Sequence, residues 1–313
     1  MAMKEEAARL PPALAWVNGL VVPAEEAKIP LEDRSVVFGE AAYEVLLARG
    51  KRVYEFERHM VRFERSLQGV GIDPAAILPL VNSALAALGA HAVEGVTALV
   101  YLHATGGVAP REHLPARDPK PALYVTWRTV PPGRVAAIPG DGVSLASMQD
   151  FRWQRATYKT TQLLGSVQAK RTARAAGATE ALFVDADGHV LEASSQNVFM
   201  VRDGQLFTPP LSLNLLPGVT RALILEHWPV QRAARSVEGA AGASSSPVIE
   251  QSFSIQALRQ ADEVFLSSTT RAVLAVTQLD GAPVGSGQVG PVSREIAAFM
   301  NAHLLAALGP ERV

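Results

Sequence analysis

The 313-residue chain contains no cysteine, which removes disulfides, thiolate metal sites and cysteine nucleophiles from consideration. No run approaches the ~20 apolar residues of a membrane helix. The opening MAMKEEAARLPPALAWV lacks the apolar core of a signal peptide, so the expectation is a cytoplasmic protein with no membrane partner. An excess of charge of either sign is missing too. With 29 Lys and Arg against 30 Asp and Glu, the net charge of -1 gives no broad drive toward nucleic acid. Repeats of solenoid length are absent, and no metal site is expected. What remains, 48% hydrophobic and 19% charged, is a globular composition, and the length calls for two domains.

In chain order, Asn18-Gly19 between apolar residues predicts a two-residue hairpin. Ile29 to Gly39 reads as a loop leading into a strand, and Tyr43 to Phe56 as two strands turned at Arg49-Gly50-Lys51. Met60, Phe63, Leu67 and Val70 recur at helical spacing, and Asp73-Pro74 opens a second helix to Leu88. Val96 to His103 and Ala122 to Trp127 are β-like, around the irregular segment ATGGVAPREHLPARDPKP. The proline- and glycine-rich stretch Arg128 to Gly142 marks a domain boundary. Beyond it, Val143 to Met148 is strand-like, and Leu163 to Ala176 is a helix ended by Gly177. Asp187-Gly188 and Asp203-Gly204 each sit between short strands, and a helix runs from Pro217 through Trp228. Gly239 to Pro247 reads as a flexible low-complexity insertion. Ser254 to Arg259 is helical, Glu263 to Leu266 and Val273 to Leu279 are strands about a Ser/Thr loop, and Val292 to Leu308 is a last helix. Strands and helices without regular βαβ alternation make an α+β protein in two parts.

Chemistry of one kind is available. A lysine can form a Schiff base when its amine is kept deprotonated, and a pyridoxal phosphate site also needs an acid for the ring nitrogen and donors for the phosphate. Lys159, Glu192, Arg62, the helix start after Gly218 and the loop Ser267 to Thr270 offer such groups. Each has a blander reading: a solvated lysine, a strand-end glutamate, a capped helix, a polar turn. Composition and spacing alone leave a soluble two-domain α+β enzyme.

The ordered series DRSVVFGEAAYEV, HMVRFERS, RWQRATYKTTQLLGSVQAKRTARAAGATEALFVDADGHVLEASSQNVF, PGVTR and VFLSSTTRAVLAVTQLDG resembles the fold-type-IV pyridoxal-phosphate enzymes. That class holds branched-chain and D-amino-acid aminotransferases, R-selective amine transaminases and aminodeoxychorismate lyases. The resemblance spans roughly Trp16 to Gly281. It implies a smaller N-terminal α/β domain (1–127), a linker (128–142) and a larger pseudo-barrel-like domain that binds pyridoxal phosphate (143–313). It also implies a homodimer.

Carried over by position, the resemblance makes Lys159 the Schiff-base and proton-transfer residue, with Lys170 structural. Glu192 becomes the carboxylate on the ring nitrogen, with Ser194 and Ser195 beside it on the cofactor side. Arg62 becomes the phosphate arginine, where a guanidinium fork suits a phosphate. Val219 and Thr220 supply phosphate donors at a helix N-terminus, Ser268 and Thr269 form a second phosphate loop, and Leu216 packs on the cofactor ring. The string Pro-Arg-x-His at Arg111 and His113 is similar to the loop that traps a substrate carboxylate in D-amino-acid aminotransferases, and Thr270 falls on the same substrate side. Val36 stands where those enzymes carry a tyrosine, one hydroxyl fewer for the carboxylate, and Glu40 replaces an aspartate. The implied reaction is ping-pong transamination between a D-amino acid and a 2-oxo acid. A branched-chain L-aminotransferase, an R-selective amine transaminase and an aminodeoxychorismate lyase are the alternatives.

Overall fold

The computed structural model describes residues 11–115, 117, 119–135, 140–237 and 247–312, with only the backbone for 230–237. Apart from Pro247, the low-complexity stretch Gly239 to Pro247 lies outside them. The chain divides into two compact units. The first comprises Met1–Val135, Tyr158–Gln162 and Leu304–Val313, the second Ala136–Thr157 and Leu163–His303.

The first unit carries strands β1 (Leu14–Val17), β2 (Leu20–Pro23), β3 (Ala41–Arg49), β4 (Arg52–Val53), β5 (Thr97–Thr105) and β6 (Ala122–Thr129). Its helices are α1 (Arg34–Val37), α2 (Phe56–Gly69) and α3 (Pro74–Gly89). These six strands pair antiparallel in the order β2-β1-β6-β5-β3-β4. Asn18 and Gly19, at φ of 50° and 90°, make the tight turn between β1 and β2. The segment Ile29 to Gly39 departs from the expected plain loop. Asp33 accepts from the Ser35 N–H and caps the one-turn helix α1 before β3 begins. Alternate residues of β3 and β5 bury Leu46, Val100 and Leu102 beside Phe63 and Leu67 of α2 and Ile77, Val81 and Leu88 of α3.

The second unit carries β7 (Val143–Gln149), α4 (Leu164–Ala175), β8 (Glu180–Val184), β9 (Val190–Ala193), β10 (Asn197–Arg202), β11 (Gln205–Thr208), α5 (Val219–Val237), β12 (Ile249–Glu250), α6 (Ile255–Arg259), β13 (Glu263–Ser268), β14 (Ala272–Leu279) and β15 (Ala282–Pro283). Helix α7 (Pro291–Leu308) follows. Helix α5 continues past Trp228 through Pro229; a proline there forfeits one backbone donor, which bends a helix without ending it. The sheet runs β12-β11-β10-β13-β14-β7-β8-β9, with β7 parallel to both β14 and β8. One further pair, Asn197 opposite Glu192, returns β10 to β9. That pair closes six strands into a barrel-like ring, whose apolar side chains include Leu182, Val198, Val264, Leu266 and Val276.

Candidate active site

Strand β4 covers only Ala48 and Arg49 of β3, so the Ala41–Tyr43 edge of β3 is left for another partner. The lysine segment takes it. Tyr43 N donates to Lys159 O at 2.9 Å, Thr161 N donates to Ala41 O at 3.3 Å, and Thr160 bridges Ala42. Ser66 of α2 fixes the other side, its Oγ accepting from Lys159 N at 3.0 Å while donating to Arg62 O at 2.9 Å. Tyr158 lies against Gly69, where any Cβ would overlap the ring. So held, Lys159 is half-buried with its Nζ 4.3 Å from the centroid of the Tyr43 ring, a cation–π approach.

Glu44, next to Tyr43, points to the opposite face of β3 and is fully buried. His59 and Arg62, three residues apart on α2, share one helix face and meet it. His59 Nδ1 lies 2.9 Å from Glu44 Oε2, and Arg62 donates through Nε (2.7 Å) and Nη2 (2.8 Å). Burial opposes the Glu44 charge, but Arg62 and His59 outweigh it and hold the carboxyl down at about 2. Burial pushes His59 below its usual range, and its Nε2 is buried with no partner among the described residues. The fork of Arg62 is thus aimed by Glu44 along one edge.

Of the residues expected on the substrate side, Val36 lies on α1 and is 53% exposed. Arg111 and His113 lie on the exposed loop after β5, both beside the Phe38 ring. The Arg111 guanidinium is 5.8 Å from that ring's centroid and the His113 ring 5.4 Å.

In the second unit Glu192 is buried where β9 meets β10. Arg152 Nη1 donates to its Oε1 at 2.6 Å, while Asn197 Nδ2 (3.3 Å) and Leu216 N (3.1 Å) donate to Oε2. Burial pushes the Glu192 carboxyl up, and Arg152 and the Leu216 N–H pull against it. Arg152 is itself clamped. Its Nε and Nη2 donate to Asp150 at 3.0 and 2.9 Å, and its guanidinium lies 4.1 Å from the Phe183 ring centroid. Asn197 also donates to Leu216 O at 2.9 Å, which ties the chain entering α5 to β10. Gly218 is needed there, since a Cβ would run into Asn197 Oδ1. Val219 and Thr220 open α5 and are buried, with their N–H groups at the positive end of the helix.

Ser194 and Ser195 separate in the structure. The Ser194 hydroxyl is donated to buried Glu180, which also holds Lys170 at 2.8 Å on α4, while Ser195 is exposed. Ser268, Thr269 and Thr270 lie half-buried at the turn from β13 to β14, and Ser268 Oγ accepts weakly from Gln196 at 3.4 Å. Sequence reasoning missed Tyr43, Glu44, His59, Arg152 and Asn197. Arg152 stood in a quoted motif seven residues before Lys159, the one signal that could have drawn attention to it.

These donor sets fit pyridoxal phosphate. A carboxylate offers about four lone-pair directions; Glu192 receives three donors, leaving one for a ring N–H. The α5 N-terminus, with the Thr220 hydroxyl, suits a phosphate.

The chain matches a protein family described as amino-transferase class IV over residues 41–279. It is 31% identical over 291 residues to a D-alanine aminotransferase of Staphylococcus haemolyticus, covering 92% of this chain and 97% of that one. A D-alanine aminotransferase of Bacillus licheniformis is 30% identical over 288 residues, with 92% and 96% covered. Among solved structures, the branched-chain amino acid aminotransferase of T.th. complexed with N-(5'-phosphopyridoxyl)-L-glutamate is similar at a TM-score of 0.73 and 26% identity, with 96% of each chain covered. The branched-chain aminotransferase of Thermoproteus uzoniensis with norvaline is similar at 0.71 and 27%, covering 96% of this chain and 97% of that one.

Proposed function

Since this chain belongs to the class IV aminotransferases, enzymes that depend on pyridoxal phosphate, we propose that it moves an amino group from a D-amino acid to a 2-oxo acid in two half-reactions. When bound, the cofactor supplies an electron sink for the carbanion formed at the substrate α-carbon. Lys159 would hold the cofactor covalently through Nζ until the donor's own amine displaces it, and the freed Lys159 amine would then take the α-proton and return it as general acid. Tyr43 keeps that amine in place beneath its ring face. Glu192, as an anion held by Arg152, keeps a proton on the ring nitrogen, and Leu216 lies against the ring. Arg62, Val219, Thr220, Ser268 and Thr269 hold the phosphate. Arg111 and His113 take the substrate carboxylate, with Val36 and Thr270 beside the substrate.

The observation that favours a D-amino acid is the placement of Arg111 and His113 about Phe38 on one exposed loop, together with relatives that are D-alanine aminotransferases. A branched-chain L-amino acid is the second reading, favoured by the similarity to the two branched-chain enzymes. The working form is a homodimer. Exposed apolar Phe151, Leu164, Val167, Leu211 and Leu213 of the second unit favour that assembly, with Thr157 N bonded to Leu213 O and Arg152 to Asn214 O.

The test mixes the cofactor-loaded protein with D-alanine, with L-leucine and with R-1-phenylethylamine, and follows the visible absorbance band of the bound cofactor. D-Alanine is expected to discharge the band, and Lys159→Ala is expected to lack it. Discharge by L-leucine and not by D-alanine overturns the assignment.

A further inference from the structure

Arg34 is a heavily bonded cation of the first unit that the reaction leaves without a role. It opens α1 with its side chain 7% exposed, and all three guanidinium nitrogens are committed. Nε and Nη2 donate to the same Glu40 oxygen at 2.8 and 2.6 Å. Nη1 donates to the carbonyl of Glu112 at 2.8 Å, and Nη2 also reaches the carbonyl of His113 at 3.2 Å. The guanidinium lies 4.8 Å from the centroid of the Phe38 ring, the ring beside which Arg111 and His113 also lie. The base of the arrangement is rigid. Asp33 accepts from Ser35 and from the Thr105 hydroxyl, and Arg34 N donates to Gly107 O at 2.9 Å. Gly106 is bare because a Cβ there would strike the Glu40 carboxylate.

Residues 111 to 113 are themselves exposed. An exposed loop tip has little burial of its own to hold one conformation. Two carbonyls bonded to one planar cation, whose plane is set by a carboxylate and a ring, give it one. A lysine, as a point charge without a fork, cannot serve both carbonyls and Glu40 with that geometry. We propose that Arg34, locked by Glu40, is the positioning residue that presents Arg111 and His113 to a substrate carboxylate, so that selectivity for carboxylate-bearing donors runs through this ion pair. The proposal rests on the reading that Arg111 and His113 bind that carboxylate.

The experiment compares cofactor-loaded wild type with Arg34→Lys, Glu40→Gln, Glu40→Asp and Arg111→Ala. It measures KM and kcat for D-alanine and the competitive inhibition constant of propionate, a carboxylate without an amine. Arg34→Lys and Glu40→Gln are expected to raise KM and the propionate constant about tenfold or more, the scale of a lost charge-assisted hydrogen bond. The loss falls on KM more than on kcat, the cofactor band stays in place, and Glu40→Asp, which keeps the anion, restores most of the affinity. If Arg111→Ala leaves both constants unchanged, the carboxylate reading itself is wrong. If Arg111→Ala raises them while the Arg34 and Glu40 variants, with band and melting temperature intact, do not, the positioning role is overturned. Should those two variants fail to fold, Phe38→Leu decides the matter by the same constants, since it removes the ring shared by Arg34, Arg111 and His113 and keeps an apolar side chain. A rise in both upholds the role, and no rise overturns it.

Discussion

The guanidinium of Arg152 donates to the Glu192 carboxylate at 2.6 Å from a position fixed by Asp150 and the Phe183 ring. Burial raises Glu192 and Arg152 opposes that rise. In Arg152→Met the carboxyl therefore moves further up, and less of it is anionic near neutral pH. The expected outcome is a lower kcat, with the acid limb of the kcat–pH profile displaced to higher pH. An acid limb that stays where the wild type has it refutes the coupling.

Glu44 makes a stability prediction of opposite sign. Its carboxyl is held at about 2 against an ordinary 4.5, so folding favours its anion. The contribution is complete above that ordinary value and fades as the pH falls toward about 2, and it amounts to about 3 kcal/mol. Urea unfolding of wild type and Glu44→Gln should differ most at neutral pH, by about 3–5 kcal/mol, the scale of removing one partner of a buried ion pair, and converge in acid. A difference that does not change with pH contradicts the assignment.

Gly218→Ala puts a methyl where Asn197 Oδ1 lies. Asn197 is then displaced from Glu192 and from Leu216 O. Expected costs are about 1–3 kcal/mol in unfolding free energy and weaker retention of pyridoxal phosphate on dialysis. Wild-type retention would show that Asn197 has room to move.

Ser66 joins α2 to the lysine segment through one hydroxyl. Ser66→Ala should cost about 1 kcal/mol, speed amide exchange at Lys159 and lower kcat without altering the KM for D-alanine. Unchanged exchange at Lys159 would mean that the Ala41–Tyr43 edge of β3 fixes the segment without Ser66.

Much of this was legible in the chain, for a physical reason. Hairpin turns such as Asn18-Gly19, the apolar period of α2 and the cap at Asp73 are local, and local geometry writes itself into a few adjacent residues. The partners of the charged groups are not local. Arg152 and Glu192 are 40 residues apart, Glu44 and Arg62 18, and Arg34 and His113 79. Only the fold tells that Glu44 turns to a helix face while Tyr43, beside it, turns to the lysine. The same limit explains Ser194 and Ser195. In sequence they are twins; on the strand end one is spent on Glu180 and the other faces solvent.

The single pairing of Asn197 with Glu192 that shuts the barrel-like ring makes chemistry and assembly inseparable in the second unit. A slip of one residue between β9 and β10 would turn each side chain to the other face and take the carboxylate away from Arg152. With Glu192 in its proposed role on the ring nitrogen, molecules misfolded in that way would also be inactive.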